Sequence, residues 1–156
     1  VLFRSMDIDF YCERFGKLAA LGKSYGVTVA QENVARYTSR SLAFLQQMQQ
    51  KMGNEVKFVL DVKQAVRSKE DPMQMLQTLG RNIVHVHISD HGEYGDCLPI
   101  GAGRFAVKTF LQTLSTISPN CTVMLELYRS GFRTLQDLLH NYHILQRMIQ
   151  NCNKEE

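Results

Sequence analysis

In the stretch IVHVHISDH, His85 and His87 occupy alternate positions of the otherwise apolar run IVHVHI. Valine or isoleucine would pack better in a buried strand. Each imidazole is therefore expected either to have a hydrogen-bond partner in the core or to belong to a functional site. Three other apolar runs carry one acidic residue near their end: Glu32 in VTVAQEN, Asp61 in KFVLDV and Glu126 in CTVMLEL. Carboxylates and imidazoles act as acids, bases and metal ligands, so these four residue positions are candidates for a catalytic or metal-binding site.

Each of the four runs has the same arrangement when it is interpreted as a β-strand. Successive side chains of a strand point to opposite faces, and one face of every run is apolar. The other face ends in Glu32, Asp61, His87 or Glu126. If the strands are adjacent and parallel, three carboxylates and one imidazole converge at one rim. Gathered carboxylates repel one another unless a cation neutralises them, and this ligand set suits one Mn²⁺, Mg²⁺, Co²⁺ or Zn²⁺ ion.

Each of these residues also has a simpler structural interpretation. His87 could be a hydrogen-bonded core histidine, and Glu32 and Glu126 could be surface residues at strand ends. Asp61 could accept a hydrogen bond at the start of the next turn. His85 is interpreted as a contact one layer deeper in the same site rather than as a second metal ligand.

Helical and strand-like patterns alternate along the chain from residue 6 onwards. The predicted helices contain residues 8–21, 42–52, 71–79, 105–117 and 134–151, the predicted strands are VTVAQEN, KFVLDV, NIVHVHIS and CTVMLEL, and residues 90–103 are a predicted loop. This alternation predicts an α/β fold with parallel strands. Four βα units in about 130 residues correspond to half of a (β/α)8 TIM barrel. The competing architecture is a small open doubly wound sheet, but no glycine-rich phosphate loop follows any strand.

The composition is that of a globular protein and indicates neither a membrane nor a nucleic-acid partner. The 156 residues are 44% apolar and 21% charged, with a formal net charge of +3. No run is long enough to span a membrane, and no secretory signal pattern is present. The four cysteines form no CxxC pair, which predicts reduced thiols and a cytoplasmic protein. Residues 1–5, VLFRS, match one coding of a common sequencing adapter, so we expect them to be non-native and residues 6–156 to form the domain.

Five short motifs occur in an order that is known from one family. They are QEN at 31–33, LDVKQA at 60–65, HVHISD at 85–90, LPIGAGRF at 98–105 and LEL at 125–127. With these motifs the chain resembles the xylose isomerase-like TIM barrels of the sugar phosphate isomerase/epimerase group. The resemblance implies that the chain supplies strands five to eight of the barrel and that an N-terminal half is missing.

The resemblance also implies a reaction. In that family one divalent metal ion is held by residues that match Glu32, Asp61, His87 and Glu126, and the two glutamates act as acid and base. Metal coordination of carbonyl and hydroxyl oxygens stabilises an enediolate, while the carboxylates remove and return a proton. The expected function is therefore a divalent-metal-dependent isomerase or epimerase of a sugar or sugar phosphate. Hydride shift is the other route in this superfamily.

Two positions depart from the family pattern. Gln64 occupies the position where many members have a histidine three residues after the strand-six aspartate, and Glu93 occupies the position where some epimerases have an arginine. We expect Gln64, Lys63, His85 and Asp90 to contact the substrate or to support the metal ligands.

The sequence is also compatible with a different enzyme class and with a chain that is inactive by itself. An endonuclease IV-like phosphodiesterase for abasic DNA shares the barrel, but it needs a histidine at position 64 and an Asp-x-His motif after the seventh strand, which the loop to Gly103 lacks. The chain by itself is also expected to have weak or no activity. Half a barrel leaves strand edges and an apolar interior open, which favours aggregation or a homo-oligomer.

Overall fold

Strands and helices alternate in a computed structural model that describes residues 7–93 and 95–152. The helices within these residues are α1 (Ile8–Ser24), α2 (Leu42–Met52), α3 (Val62–Arg67), α4 (Pro72–Leu79), α5 (Val107–Ile117) and α6 (Leu135–Cys152). The strands are β1 (Gln31–Glu32), β2 (Phe58–Asp61), β3 (Ile83–Ile88), β4 (Asp90–Gly92), β5 (Gly95–Leu98) and β6 (Thr122–Leu125). The expectation about VLFRS falls on residues 1–5, which lie outside the described part.

Four strands form one parallel sheet in the order β1-β2-β3-β6, which is also their order along the chain. Parallel neighbours need a crossover, and the helices supply it. Helices α1, α2, α4, α5 and α6 contact one another in that sequence and form a layer over the sheet. The predicted α/β fold with parallel strands is therefore confirmed. No helix among the described residues is both long enough and apolar enough to cross a membrane.

The hydrophobic core lies between the sheet and this helix layer. Phe58 and Leu60 of β2 and Val86 and Ile88 of β3 are almost completely buried there. Truncation of one such side chain to alanine costs about 2–5 kcal/mol of stability, because it leaves a cavity. On the opposite face of the sheet, Met124 remains 45% exposed, so the described residues cover only one face.

The strand prediction differs from the structure at two places. VTVAQEN contributes only Gln31–Glu32 to the sheet, because β1 lies at the edge and only these two residues pair with β2. The alternation of β3 is also interrupted near its start, since Phe58 pairs with Ile83 but Val59 pairs with His85. The bulge puts Ile83 in the core, whereas Val84, which the alternation assigns to the helix-facing side, is half-exposed.

One helix and one pair of strands were not predicted. Helix α3 begins directly after β2, because the Asp61 side chain accepts a hydrogen bond from the Gln64 amide and so caps the helix. The predicted loop after β3 contains the antiparallel strands β4 and β5. Short elements of this kind depend on single capping contacts rather than on hydrophobic periodicity, which is why the apolar pattern did not indicate them.

Candidate metal centre

The four predicted ligands lie at the carboxyl ends of the four parallel strands. Glu32 ends β1, Asp61 ends β2, His87 is the penultimate residue of β3, and Glu126 follows β6 directly. Asp61 and His87 are register partners, and the Glu126 amide donates to the carbonyl of Ile88, 3.0 Å away. Because parallel strands end at the same edge of a sheet, their terminal side chains meet there.

The ring nitrogen Nδ1 of His87 lies at the centre of this group. It is 3.4 Å from Glu32 Oε1, 3.5 Å from Asp61 Oδ2 and 3.5 Å from Glu126 Oε2. Three carboxylates from three different strands therefore surround one imidazole nitrogen. The structure brings the four side chains together, as the shared strand phase predicts.

Three of the atoms that face one another are buried and have no hydrogen-bond partner: Asp61 Oδ2, His87 Nδ1 and Glu126 Oε2. Orphaned polar atoms of this kind cost about 1–3 kcal/mol each, so a native protein retains them for a reason. Ligand atoms of Glu32, Asp61 and His87 all lie within 4.8 Å of one another. Two ligands of a single ion, each bound at about 2.0–2.5 Å, can lie up to about 4–5 Å apart, so these distances are compatible with one ion. The donor set thus fits a divalent cation, with Glu126 beside the three-residue cluster.

Lys63 is a further charged group in this cluster. Its side chain is only 4% exposed, and its Nζ lies 2.5 Å from Glu126 Oε1 and 3.5 Å from Asp61 Oδ2. The ammonium also lies 5.0 Å from the centre of the Tyr128 ring, within range of a cation–π interaction. Lys63 therefore contacts two of the candidate ligands directly.

The pKa values of the charged groups at this site are shifted by burial and by their neighbours: those of Asp61 and Lys63 are raised and that of Glu126 is lowered. Burial raises the pKa of Asp61 to about 6, and the negative charge of Glu126 adds to this, while the hydrogen bond from the Gln64 amide and the charge of Lys63 oppose it. Burial also acts to raise the pKa of Glu126, but the hydrogen bond and charge of Lys63 outweigh it, and the net pKa is lowered. Burial would lower the pKa of Lys63, yet its contacts with Glu126 and Asp61 raise it.

Asn33 holds the ends of β1 and β2 in register and has no role in the sequence prediction. Its amide nitrogen donates to the Asp61 carbonyl at 2.9 Å, and its Oδ1 accepts from the Asp61 amide at 2.7 Å. Asn33 is completely buried, so this two-point contact fixes the position of one candidate ligand relative to Glu32. Its adjacency to Glu32 in the QEN motif was the only sequence signal.

The other predicted supporting residues lie around the cluster in different roles. Gln64 Oε1 accepts from the Ala35 amide at 3.0 Å and so ties α3 to the segment after β1. His85 Nδ1 lies 2.6 Å from Thr122 Oγ1, and its ring packs edge-to-face on His87 with centres 5.0 Å apart. Burial, followed by the neighbouring His87, lowers the pKa of His85.

Asp90 organises the loop between β3 and α5. Its two carboxylate oxygens accept hydrogen bonds from four backbone amides, which belong to His91, Gly101, Gly103 and Phe105. A Cβ at Gly103 would collide with the Asp90 carboxylate, so the close approach requires glycine there. Asp90 acts on loop backbone in the described structure.

Arg67 connects α3 to the hairpin and to the residues after β6. It donates from Nε and Nη2 to both oxygens of Asp96, at 2.5 and 2.8 Å, and from Nη1 to the Tyr128 hydroxyl at 2.9 Å. This bidentate pair fixes the aromatic ring that lies against Lys63. Sequence reasoning did not single out Arg67 or Asp96, because a surface arginine and aspartate 29 positions apart carry no motif.

Polar side chains at the carboxyl ends of parallel strands in an α/β fold are the arrangement found at the active sites of TIM barrels. Comparison with known families agrees with this class of fold. The model of the xylose isomerase-like TIM barrel family matches residues 3–150, and the chain belongs to that family. The family assignment made from the five motifs is thereby confirmed.

Solved structures with the same fold include several epimerases. An L-ribulose 3-epimerase superposes with a TM-score of 0.67 at 17% identity, covering 92% of this chain and 54% of that chain. The D-psicose 3-epimerase of Clostridium cellulolyticum H10, solved with D-tagatose, gives 0.58 at 19% identity, with coverages of 99% and 58%. The 3-keto-D-glucoside 4-epimerase of E. coli gives 0.62 at 15% identity, with coverages of 94% and 57%. The chain thus spans a little over half the length of these proteins. No curated protein sequence matches it.

Proposed function

We propose that the chain forms part of a divalent-metal-dependent isomerase or epimerase that acts on a sugar or a sugar phosphate. In this proposal Glu32, Asp61, His87 and Glu126 hold the metal ion, which is Mn²⁺, Mg²⁺, Co²⁺ or Zn²⁺. The observation that carries the proposal is the set of buried, unpartnered donor atoms on Asp61, His87 and Glu126, which face one another. The epimerase activities of proteins with the same fold support it.

Glu32 and Glu126 are the proposed acid and base. They come from the two edge strands of the sheet, yet each approaches the same nitrogen of His87 from its own side. One carboxylate can remove the proton from a carbon beside a carbonyl while the other returns it. When bound, the divalent ion supplies positive charge beside the carbonyl and hydroxyl oxygens of the substrate. The hydrogen bond and the charge of Lys63 lower the pKa of Glu126, which favours its ionised, proton-accepting form.

The remaining residues are proposed to support this site. His85 packs beneath His87 and orients its ring, and Asp90 shapes the loop at the rim. Gln64 holds the segment after β1 through Ala35 and presents its amide near the substrate. Lys63 belongs to the charged cluster itself.

We further propose that residues 6–156 supply strands five to eight of a (β/α)8 barrel and that residues 1–5 are not native to it. The inner face of the sheet supports this, since the side chains of Glu32 and Glu126 are 35% and 30% exposed there. An N-terminal half-barrel would cover that face and complete the substrate pocket. By itself the chain is proposed to be weakly active or inactive and prone to form a homo-oligomer. We also propose a cytoplasmic location, because the cysteines of the described residues are not joined in disulfides.

The direct test fuses this chain to the N-terminal half of a family member and assays aldose and ketose epimerisation. We expect EDTA to abolish turnover and added divalent metal to restore it. Replacement Glu126→Gln should reduce kcat by about 10²–10⁴-fold, since it removes a group that transfers a proton. Metal-independent turnover, or full activity in the glutamine variant, contradicts the proposal. Cleavage of abasic DNA without sugar turnover would instead favour the phosphodiesterase alternative.

A further inference from the structure

The charges of the candidate metal centre do not balance without Lys63. Three carboxylates, those of Glu32, Asp61 and Glu126, surround one imidazole nitrogen. A divalent ion beside a neutral imidazole would leave one negative charge in a half-buried site, and uncompensated charge there is costly. The ammonium of Lys63 supplies the missing positive charge at 2.5 Å from Glu126 and 3.5 Å from Asp61.

We propose that Lys63 is a built-in monovalent cation that balances part of the negative charge of the site and so sets the charge of the metal ion that the site accepts. This inference rests on the metal centre proposed above. Lys63 binds Oε1 of Glu126, while Oε2, the oxygen without a partner, faces His87. The lysine thereby divides the carboxylate between two cations, with one oxygen for the ammonium and one for the metal.

The position of Lys63 is fixed by the start of α3 and by three neighbouring side chains. It lies in the first turn of α3, whose start is held by the Asp61 cap. Its ammonium is enclosed by Glu126, by Asp61 and by the ring of Tyr128. The hydrogen bond from Arg67 to the Tyr128 hydroxyl holds that ring. The Lys63 side chain is only 4% exposed, so its ammonium is held at the site and does not extend into solvent.

The test measures the affinity of the full chain for Mn²⁺ and Tb³⁺ alone, by calorimetry and lanthanide luminescence, in wild type and Lys63→Met. Removing the ammonium removes repulsion of the metal, and the Coulomb energy scales with the charge of the ion. We therefore expect binding to tighten about tenfold for Mn²⁺ and about thirtyfold for Tb³⁺. Lys69→Met is the matched control, because it removes an exposed lysine just beyond the same helix and should change neither affinity.

A second neutral variant separates charge from folding. Lys63→Gln keeps a hydrogen-bond donor for Glu126 and should also tighten binding, with a larger gain for Tb³⁺ than for Mn²⁺. In both variants, the rise in Tm on adding Mn²⁺ should exceed that of wild type. Wild type that fails to bind Mn²⁺ overturns the metal centre and this inference with it. Wild type that binds, combined with variants that bind equally or more weakly, overturns the inference alone and leaves the metal centre standing.

Discussion

At the scale of single residues, the candidate site combines groups that are individually unfavourable. Asp61 is buried at 1% exposure with one oxygen lacking a partner, and it lies beside the ionised Glu126. Unfavourable contacts of this kind are characteristic of functional sites, where some stability is given up to hold charged groups close together. The pairing of Lys63 with Glu126 relieves part of this strain, and the remainder is concentrated on Asp61.

The variant Asp61→Asn should therefore stabilise the metal-free protein at pH 7.5 while removing metal binding. The folded-state pKa of Asp61 is raised to about 6, so its contribution to stability is present below pH 4 and is lost as pH rises through 6. Asparagine keeps the helix cap and carries no charge. We expect a gain of about 1–3 kcal/mol at pH 7.5 that shrinks at pH 5.

Urea denaturation after EDTA treatment, at both pH values, measures this gain. The control is Asp71→Asn, which replaces the capping aspartate of α4 at an exposed position. A lower stability of the Asp61 variant at pH 7.5 would show that the buried carboxylate is favourable without metal.

Asn33 is the second prediction at this scale. Asn33→Ala leaves the amide and the carbonyl of Asp61 without their partners in a buried environment, which costs about 2–4 kcal/mol. Because the same contacts position Asp61, the Mn²⁺ affinity should also fall, by about tenfold. Denaturation and calorimetry measure the two effects, and Asn120→Ala, at an exposed asparagine, should leave both unchanged. Loss of stability with full metal affinity would separate Asn33 from the site.

At the scale of elements, short structures around single polar residues carry the site. Helix α3 exists because Asp61 caps it, and this helix brings both Lys63 and Gln64 to the rim. The loop after β3 is ordered around the carboxylate of Asp90. The long helices and the central strands, in contrast, are held by core packing and contribute no side chain to the cluster other than those at the strand ends.

The variant Asp90→Ala should loosen the loop and spare the metal centre. It removes the acceptor of four backbone amides, so the stability should fall by about 2–4 kcal/mol. Hydrogen exchange at Gly101, Gly103 and Phe105 should accelerate, while Mn²⁺ affinity should stay within about threefold, because Asp90 does not contact a ligand. The matched control is Glu93→Ala, which removes an exposed ion pair with Arg104 and should cost less than about 1 kcal/mol. Unchanged exchange rates would contradict the role of Asp90.

At the scale of the whole molecule, the described helices cover one face of the sheet and leave the other open. Its edge strands β1 and β6 each pair on one side within the described residues, and its inner face carries Met124 at 45% exposure together with the charged cluster. Open parallel edges next to exposed apolar surface favour association. This face is where we propose that a second half-barrel packs.

Light scattering with size-exclusion chromatography tests this face. We expect the chain to self-associate at micromolar concentration, and Met124→Glu to shift it toward the monomer, because a charge on the inner face opposes burial. Thr109→Glu adds the same charge on the exposed side of α5 and should not change the mass. A strictly monomeric wild type would show that the inner face needs no partner.

The sequence by itself determined the alternation of helices and strands, the family, and the four side chains that meet at the carboxyl edge. These features are repeated signals, since period-two patterns occur in four strands and the motifs occur in one order. Only the tertiary structure decided that Lys63, which was expected near the substrate or the metal ligands, pairs with Glu126 and Asp61. It also showed that Asn33 bonds to both backbone groups of Asp61 and that Arg67 reaches Asp96 and Tyr128.

The reason for this division is physical. Hydrophobic periodicity is local and is summed over many residues, so it survives in the sequence. The contacts of Lys63 with Glu126, 63 positions apart, and of Asn33 with Asp61, 28 positions apart, depend on strand order and register. Strand order and register are set by the packed sheet, and no short stretch of the chain encodes them.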